Sequence, residues 1–315
     1  MCDCVRCGAS VFNFLDEKFN FRVIIVRSNS GFLFLIFLML GGVSCSSIGV
    51  ALFVLLVAIC AVSEGARYRA KFLVFIVLSA IAATWSIPLM LRRPRDWRNA
   101  LIPAWGARQI AKLLGVNFKV RGQENVVKDT GAVVLINHQS AIDLCVLAEL
   151  WPVLERCTVV SKRLVLYFGT FGLACWLWGT IFIDRSNVTE AQETINSTAD
   201  TINRRKAKLL LFPEGKRYNG TSLMPFKKGA FHVAVRAQTP IQPVVVSKYY
   251  FLNDEKKKFE PGTSYITILP PIPTKGLTKE DIPTLMDKTW EVMNSTFQET
   301  SREILVDEKV KSLSS

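Results

Sequence analysis

The 315-residue chain contains two histidines, and one of them, His138, stands five residues before a carboxylate, Asp143. The pair follows an apolar run, Ala132–Ile136, that reads as a buried strand, with the next helix opening at Gln139–Ser140. At about 100° per helical residue, five positions set two side chains roughly 140° apart. His138 and Asp143 therefore meet only if the histidine lies on the strand-to-helix loop and the aspartate in the first turns of the helix. Such a loop can aim an imidazole into a cleft while the carboxylate bonds one ring nitrogen and fixes the tautomer. The same spacing fits a helix cap followed by an unrelated acidic residue, and Ser140 reads as that cap. A second polar cluster, Phe212-Pro213-Glu214-Gly215-Lys216-Arg217, follows another strand-like run, Lys208–Leu211. Alone, Pro-Glu-Gly is turn chemistry, and Lys216 and Arg217 fit a solvated rim.

Together the clusters resemble the glycerolipid acyltransferase family, whose marks are an N-H-x-x-x-x-D block and a downstream F-P-E-G-[TS]-R block. Gly179–Arg185 and Ile241–Ser247 fit two further blocks of that family, and the resemblance runs from Phe118 to Pro273. Residues 172–177 and 225–232 look closest to the animal 1-acylglycerol-3-phosphate acyltransferases. One departure is Lys216, where the family has threonine or serine. The resemblance implies an α/β acyltransferase with a largely parallel sheet sandwiched by helices. It would use acyl-CoA as co-substrate, without cofactor or metal, to acylate the sn-2 hydroxyl of lysophosphatidic acid (1-acyl-sn-glycerol 3-phosphate), giving phosphatidic acid. Acylation of glycerol 3-phosphate or of another lysophospholipid would be served by the same motifs. Outside the enzymes, the alternative is a silent membrane lipid-binding protein, against which the intact histidine, aspartate, glutamate and arginine argue.

The residue types suit that chemistry. A hydroxyl with a pKa of ~15.7 lies ~9 units above imidazole, a gap worth about 12 kcal/mol. The histidine must then take the proton as the carbon–oxygen bond forms, the work of a general base. No Gly-x-Ser-x-Gly elbow or cysteine–histidine signature is present, so direct attack without an acyl-enzyme is expected. Donors for the oxyanion are expected from backbone amides near the 137–143 loop. Arg217 offers a fork for phosphate oxygens. Glu214, unable to bind phosphate, would orient Arg217 or accept a hydrogen bond from the glycerol, with Gly215 at the turn. Arg185 is a second phosphate ligand, and Lys216 fits a phosphate contact or the rim equally. Lys227 and Lys228 fit coenzyme A phosphates or a surface pair, and His232 a packing role.

The elements that must position these groups come next. Strands are expected at Asn117–Val120, Ala132–Ile136, Cys157–Ser161, Thr180–Ile183, Lys208–Phe212, Gln242–Ser247 and Tyr265–Leu269. Helices are expected at Trp97–Leu114, Ser140–Leu150, Arg163–Trp176, Val188–Asn203, Ala230–Ala237 and Thr278–Glu299. The alternation argues an α/β domain with both clusters at strand carboxyl ends. Leu164–Ile183 is long and uncharged enough for a span, but three glycines break it and a crossing would part His138 from Arg217.

Half of the residues are hydrophobic, concentrated near the N-terminus. The organisation expected is an N-terminal tail over 1–30, a membrane anchor of two helices over 31–91, the acyltransferase domain over 92–300 and a C-terminal tail over 301–315. Within the anchor, Ile48–Val62 and Phe72–Leu91 are the apolar helices, and the loop between them carries Arg67, Arg69 and Lys71. Cations at the flanks favour both termini in the cytosol, the alternative being a helical pair dipping into one leaflet. An endoplasmic reticulum membrane with a cytosolic catalytic face follows from the resemblance, and it leaves the sequons at Asn187, Asn196, Asn219 and Asn294 silent. The net charge of +13 gathers beside the apolar stretches, at Arg92, Arg93, Arg95 and Arg98, and so points to lipid headgroups, not to nucleic acid. Eight cysteines show no disulfide framework. Cys145, Cys157 and Cys175 read as buried apolar residues, and Cys2, Cys4 and Cys7 as a terminal trio with no fourth metal ligand.

Overall fold

A computed structural model describes residues 10–16, 21–27, 33–39, 63–183 and 188–314. Two compact units divide at Ala66. The first contains a three-stranded antiparallel sheet of β1 (Ser10–Asp16), β2 (Phe21–Arg27) and β3 (Leu33–Met39). Residues 33–39, expected inside the anchor, are thus a strand. The first anchor helix, Ile48–Val62, and the trio Cys2, Cys4 and Cys7 lie outside the described residues, as do Asp184, Arg185 and Asn187.

The second apolar helix, α1, runs over Glu64–Trp85 and is long and apolar enough to cross a membrane. It opens eight residues before the expected Phe72, placing Arg67, Arg69 and Lys71 on the helix and not in a loop. The Ser63 hydroxyl accepts from the Ala66 N–H at its start. At its end, Ser86 and Pro88 interrupt it before a single turn, Ile87–Met90. The helix lies along the α/β domain. Lys71 donates to the carbonyls of Leu114 and Phe259, Tyr68 to Asp254, and the Thr84 hydroxyl meets that of Thr170 at 2.8 Å. Its other face exposes Leu73, Val74, Ile76, Val77, Ile81 and Trp85.

A 3₁₀ turn, Trp97–Ala100, leads into α2 (Leu101–Leu113). The β–α alternation follows: β4 (Val116–Arg121), β5 (Ala132–Ile136), α3 (Asp143–Leu154), β6 (Cys157–Lys162), α4 (Gly169–Leu177), β7 (Ile181–Ile183) and α5 (Val188–Arg205). The chain continues with β8 (Lys208–Leu211), α6 (Gly229–Ala237), β9 (Ile241–Val246), the small hairpin β10 (Leu252–Asn253) and β11 (Lys258–Phe259), β12 (Gly262–Ile268) and α7 (Ile282–Ser314).

Seven strands form one sheet in the order β4-β12-β9-β5-β8-β6-β7. The run from β9 to β7 is parallel; β12 pairs antiparallel with β9 and parallel with β4. Side chains alternate across the sheet. Val134 and Ile136 of β5 face a core with α1 to α4, whereas Val133 and Leu135 face one with α5, α6 and α7. β5 is therefore a continuous apolar run, as two covered faces require, and β9 departs from one only at Gln242. Cys145, Cys157 and Cys175 are free and buried, and burial pushes the thiols of Cys145 and Cys175 up to about 12.

Three expectations shift. The stretch Arg163–Trp176 is two pieces, a 3₁₀ turn over Arg163–Tyr167 and then α4, broken where Gly169 takes φ +57°. α3 begins at Asp143, not at Ser140. No C-terminal tail starts at 301: α7 runs on to Ser314 with Ser301 and Ile304 buried.

Candidate active site

Strands β5 and β8 are parallel neighbours, with Leu135 opposite Leu211. The residues that follow them, His138 and Glu214, accordingly emerge side by side at one end of the sheet, the carboxyl end where open α/β sheets place ligands. His138 lies on the loop and Asp143 is the first residue of α3. The loop folds back on the helix start, so that His138 Nδ1 sits 2.6 Å from Asp143 Oδ2. The Gln139 and Ser140 N–H groups donate to the same oxygen at 2.7 and 3.1 Å, and the Tyr249 hydroxyl donates to Oδ1 at 2.7 Å. Asp143 is 2 % exposed, while the His138 side chain keeps 19 % of its surface open. With an acceptor against Nδ1, that nitrogen carries the ring hydrogen, and Nε2 is the bare nitrogen.

The expected cap is absent: Ser140 offers Asp143 its backbone, and α3 begins with no side-chain cap at Ile142. The aspartate takes the cap's role, collecting loop N–H groups that the helix start leaves unpaired. The amide side chains beside the histidine hold the loop to β9. Asn137 exchanges two bonds with the Val246 backbone (3.0 and 2.7 Å). Gln139 donates to the Val246 and Ser247 carbonyls and accepts from the Tyr249 N–H.

Glu214 has a different role from the one expected. It is 3 % exposed, and its two oxygens accept the N–H groups of His138 (2.8 Å) and Met224 (3.0 Å). The carboxylate ties the histidine loop to the 224 loop; it neither orients Arg217 nor lies open to a glycerol. Burial pushes its carboxyl up, against the pull of those two donors. The loop amides expected as oxyanion donors are consumed likewise: that of His138 by Glu214, those of Gln139 and Ser140 by Asp143.

Gly215 takes φ +70°, and a Cβ there would fall within 2.8 Å of Lys227 Cε, so Lys227 crosses directly over this turn. Lys216 and Arg217 are exposed. The Tyr218 N–H donates to the His138 carbonyl at 2.8 Å, which holds the Arg217 backbone beside the histidine loop. Phe212 stacks on the imidazole with centroids 4.0 Å apart. It also lines an apolar cavity of about 340 Å³ enclosed by Val160, Leu209, Leu211, Ala230 and Val233, with Gly215 and Lys227 in its wall. His232, on α6, is half-buried. Sequence reasoning brought together His138, Asp143, Glu214 and Gly215 and missed Tyr249, which lies two residues beyond the Ile241–Ser247 block.

The Acyltransferase family model matches residues 117–247, the segment that carries His138, Asp143 and Glu214 but stops two residues short of Tyr249. The human 1-acyl-sn-glycerol-3-phosphate acyltransferase alpha is 38% identical over 240 residues, covering 76% of this chain and 84% of its own. The human beta protein of that name is 36% identical over 255 residues, covering 80% and 91%. The crystal structure of the 1-acyl-sn-glycerophosphate acyltransferase PlsC from Thermotoga maritima superposes with a TM-score of 0.58 at 20% identity, over 75% of this chain and 98% of that one. On this likeness, and with the fold in agreement, the chain belongs to the 1-acyl-sn-glycerol-3-phosphate acyltransferase family.

Proposed function

We propose that this protein transfers the acyl group of an acyl-CoA to the sn-2 hydroxyl of 1-acyl-sn-glycerol 3-phosphate. The observation that carries the reading is the 2.6 Å contact between His138 Nδ1 and Asp143 Oδ2, in a ring that Phe212 covers on one face and that keeps 19 % of its side-chain surface exposed. Nε2 takes the hydroxyl proton as the oxygen attacks the thioester carbon. Collapse of the tetrahedral intermediate breaks the carbon–sulfur bond, and the imidazolium returns the proton to the departing thiolate. Asp143 holds the ring and opposes the charge that forms on it. The oxyanion donors come from outside the histidine loop's first three amides, which are already spent.

The apolar cavity beside Phe212 suits an acyl chain, and Lys227 in its wall suits an anionic group of coenzyme A. Arg217 is assigned the acceptor's phosphate, with Arg185 and Lys216 as further phosphate contacts. The acceptor is a membrane solute, and each methylene pulled into water costs ~0.8 kcal/mol. The exposed apolar face of α1 would hold the enzyme at the bilayer, on the endoplasmic reticulum with the site towards the cytosol. Lying along the domain, α1 suits burial in one leaflet better than an upright crossing.

The test is the purified full chain with acyl-CoA and a panel of acceptors. Lysophosphatidic acid should be the preferred acceptor, and His138→Ala should lose about 10²–10⁴-fold in turnover while staying folded. A folded His138→Ala protein with wild-type turnover removes the base; preference for a lysolipid without a phosphomonoester removes the assigned acceptor.

A further inference from the structure

A second polar cavity lies at the other end of the sheet. His138 follows the carboxyl end of β5, whereas Arg156, Cys157 and Thr158 lead into the amino end of β6, a strand running the same way. The length of β5, about 16 Å, therefore separates the two ends. The cavity measures about 410 Å³ and is lined by four arginines, Arg95, Arg98, Arg156 and Arg205, with Asp96 as the single carboxylate in its wall. Four positive groups less one negative leave it a formal charge of +3.

These arginines come from three separate stretches of chain: the connection after α1, the turn between α3 and β6, and the last turn of α5. A solvated charge run would not converge on one concavity. Two of the four have ordinary explanations, since Arg98 pairs with Asp96 at 3.3 Å and Arg205 answers the dipole of α5. Among the described residues, Arg95 and Arg156 pair with no carboxylate. They take φ +62° and +46°, a backbone region that glycine or asparagine enters at lower cost. Glu155, Lys206, Gln238 and Lys257 share that region, so φ alone does not select these side chains; what the two unpaired guanidinium groups leave is a demand for an anion.

The surroundings indicate which anion. Asn99 ties the connection to the end of α1 and to α4 through the carbonyls of Met90, Arg93 and Leu177. The cavity thus sits at the end of α1, beside exposed Trp85, Leu89 and Leu91. The Arg95 guanidinium lies 5.9 Å from the Trp176 ring centroid, and that of Arg98 5.1 Å from the Trp97 ring centroid. Guanidinium groups over tryptophans, next to bare leucines, are the furniture of a membrane–water interface. A guanidinium fork also matches phosphate oxygens.

We propose that this cavity binds the phosphate of an anionic glycerophospholipid headgroup, a lipid site separate from the one at His138. It rests on the membrane reading of α1 and uses nothing of the acyl-transfer chemistry.

The test pairs two variants of equal charge in the full chain: Arg156→Gln with Arg205→Gln inside the cavity, and Arg92→Gln with Arg93→Gln outside it. Flotation with vesicles of phosphatidylcholine, alone or with added phosphatidylglycerol, gives the partition, and a melt without lipid checks folding. The cavity pair should lose about thirtyfold in partition onto the anionic vesicles and nothing on neutral ones, and the outer pair should lose less. Equal losses would reduce the cavity to a diffuse surface field and overturn the proposal. Thermal shifts in detergent separate the ligand's source: short-chain phosphatidylglycerol should stabilise the wild type and not the cavity pair. A shift as large from inorganic phosphate alone would assign the site to a soluble phosphate and overturn the headgroup. If the wild type does not float with neutral vesicles, it is the membrane reading of α1 that fails, and the thermal shifts then decide the cavity.

Discussion

Asp143 accepts four hydrogen bonds through two oxygens, and the histidine supplies only one of them. Among the described residues Tyr249 supplies the only bond to Oδ1, and it is fully buried. Tyr249→Phe strips that donor from a buried carboxylate, at a cost of about 1–3 kcal/mol. Turnover should fall about tenfold, with KM for both substrates little changed, because the loss acts through the carboxylate that steadies the ring. Unchanged turnover would show that the two loop amides hold Asp143 without help. Burial and the Asp143 charge hold the Tyr249 hydroxyl well above the usual phenol range. It stays a donor as pH rises, so the alkaline limb of the pH–rate profile should be the same in the variant. A displaced limb would mean that the tyrosine titrates. For His138 and Asp143 the chain spacing allowed a meeting geometry without requiring it, and the second cluster at Phe212–Arg217, with the family resemblance the two carry, singled the pair out. Tyr249 was not legible, being 106 residues from its partner, with nothing in Lys248-Tyr249-Tyr250 to say which ring turns inward. Glu214 was found but misassigned, since a sequence shows a carboxylate without showing that backbone N–H groups saturate it.

Among the elements, the turn after β8 is held by a glycine that cannot be replaced cheaply. At φ +70° an alanine costs about 1–2 kcal/mol from its backbone alone, and its methyl group would displace Lys227. Gly215→Ala should lower the melting temperature and the turnover together. Adding Lys227→Ala should remove the collision but not the backbone cost, so the melting temperature should stay low; full recovery would show that crowding, not φ, was the penalty. The strands of the main sheet were legible for different reasons: β5 is an unbroken apolar run buried on two faces, whereas β4 alternates buried and exposed residues as an edge strand does. Helix starts were less so. Gln139 and Ser140 look like an opening turn, yet Asp143 draws their N–H groups aside and the helix waits until Asp143 itself. The antiparallel placement of β12 beside β9 could not be read at all, since pairing direction depends on contacts that no local pattern encodes.

On the scale of the whole molecule, α1 packs one narrow face on the core of the catalytic domain and leaves the rest uncovered. Phe75 and Ala83 share one buried cluster with Val134 and Ile136 of β5, and a Cβ at Gly106 would come within 2.9 Å of the Ala82 Cβ. Removing residues 1–85 should therefore yield an aggregating, inactive chain and not a soluble enzyme, since emptying each large buried site costs about 2–5 kcal/mol. Size-exclusion chromatography with an activity assay checks this; a monodisperse, active truncation would show that α1 is only an anchor. The docking of α1 also has a consequence in time. Lys71 and the Phe259 carbonyl that it binds are 188 residues apart, and Tyr68 and Asp254 are 186 apart. A ribosome adding about 5–20 residues per second needs roughly 10–40 s to pass from one to the other. Throughout that interval the nascent helix has no hairpin to rest on, and lipid or a chaperone must cover its apolar side. With lipid as that cover, the newborn polypeptide would reach a bilayer before the pocket around His138 is assembled.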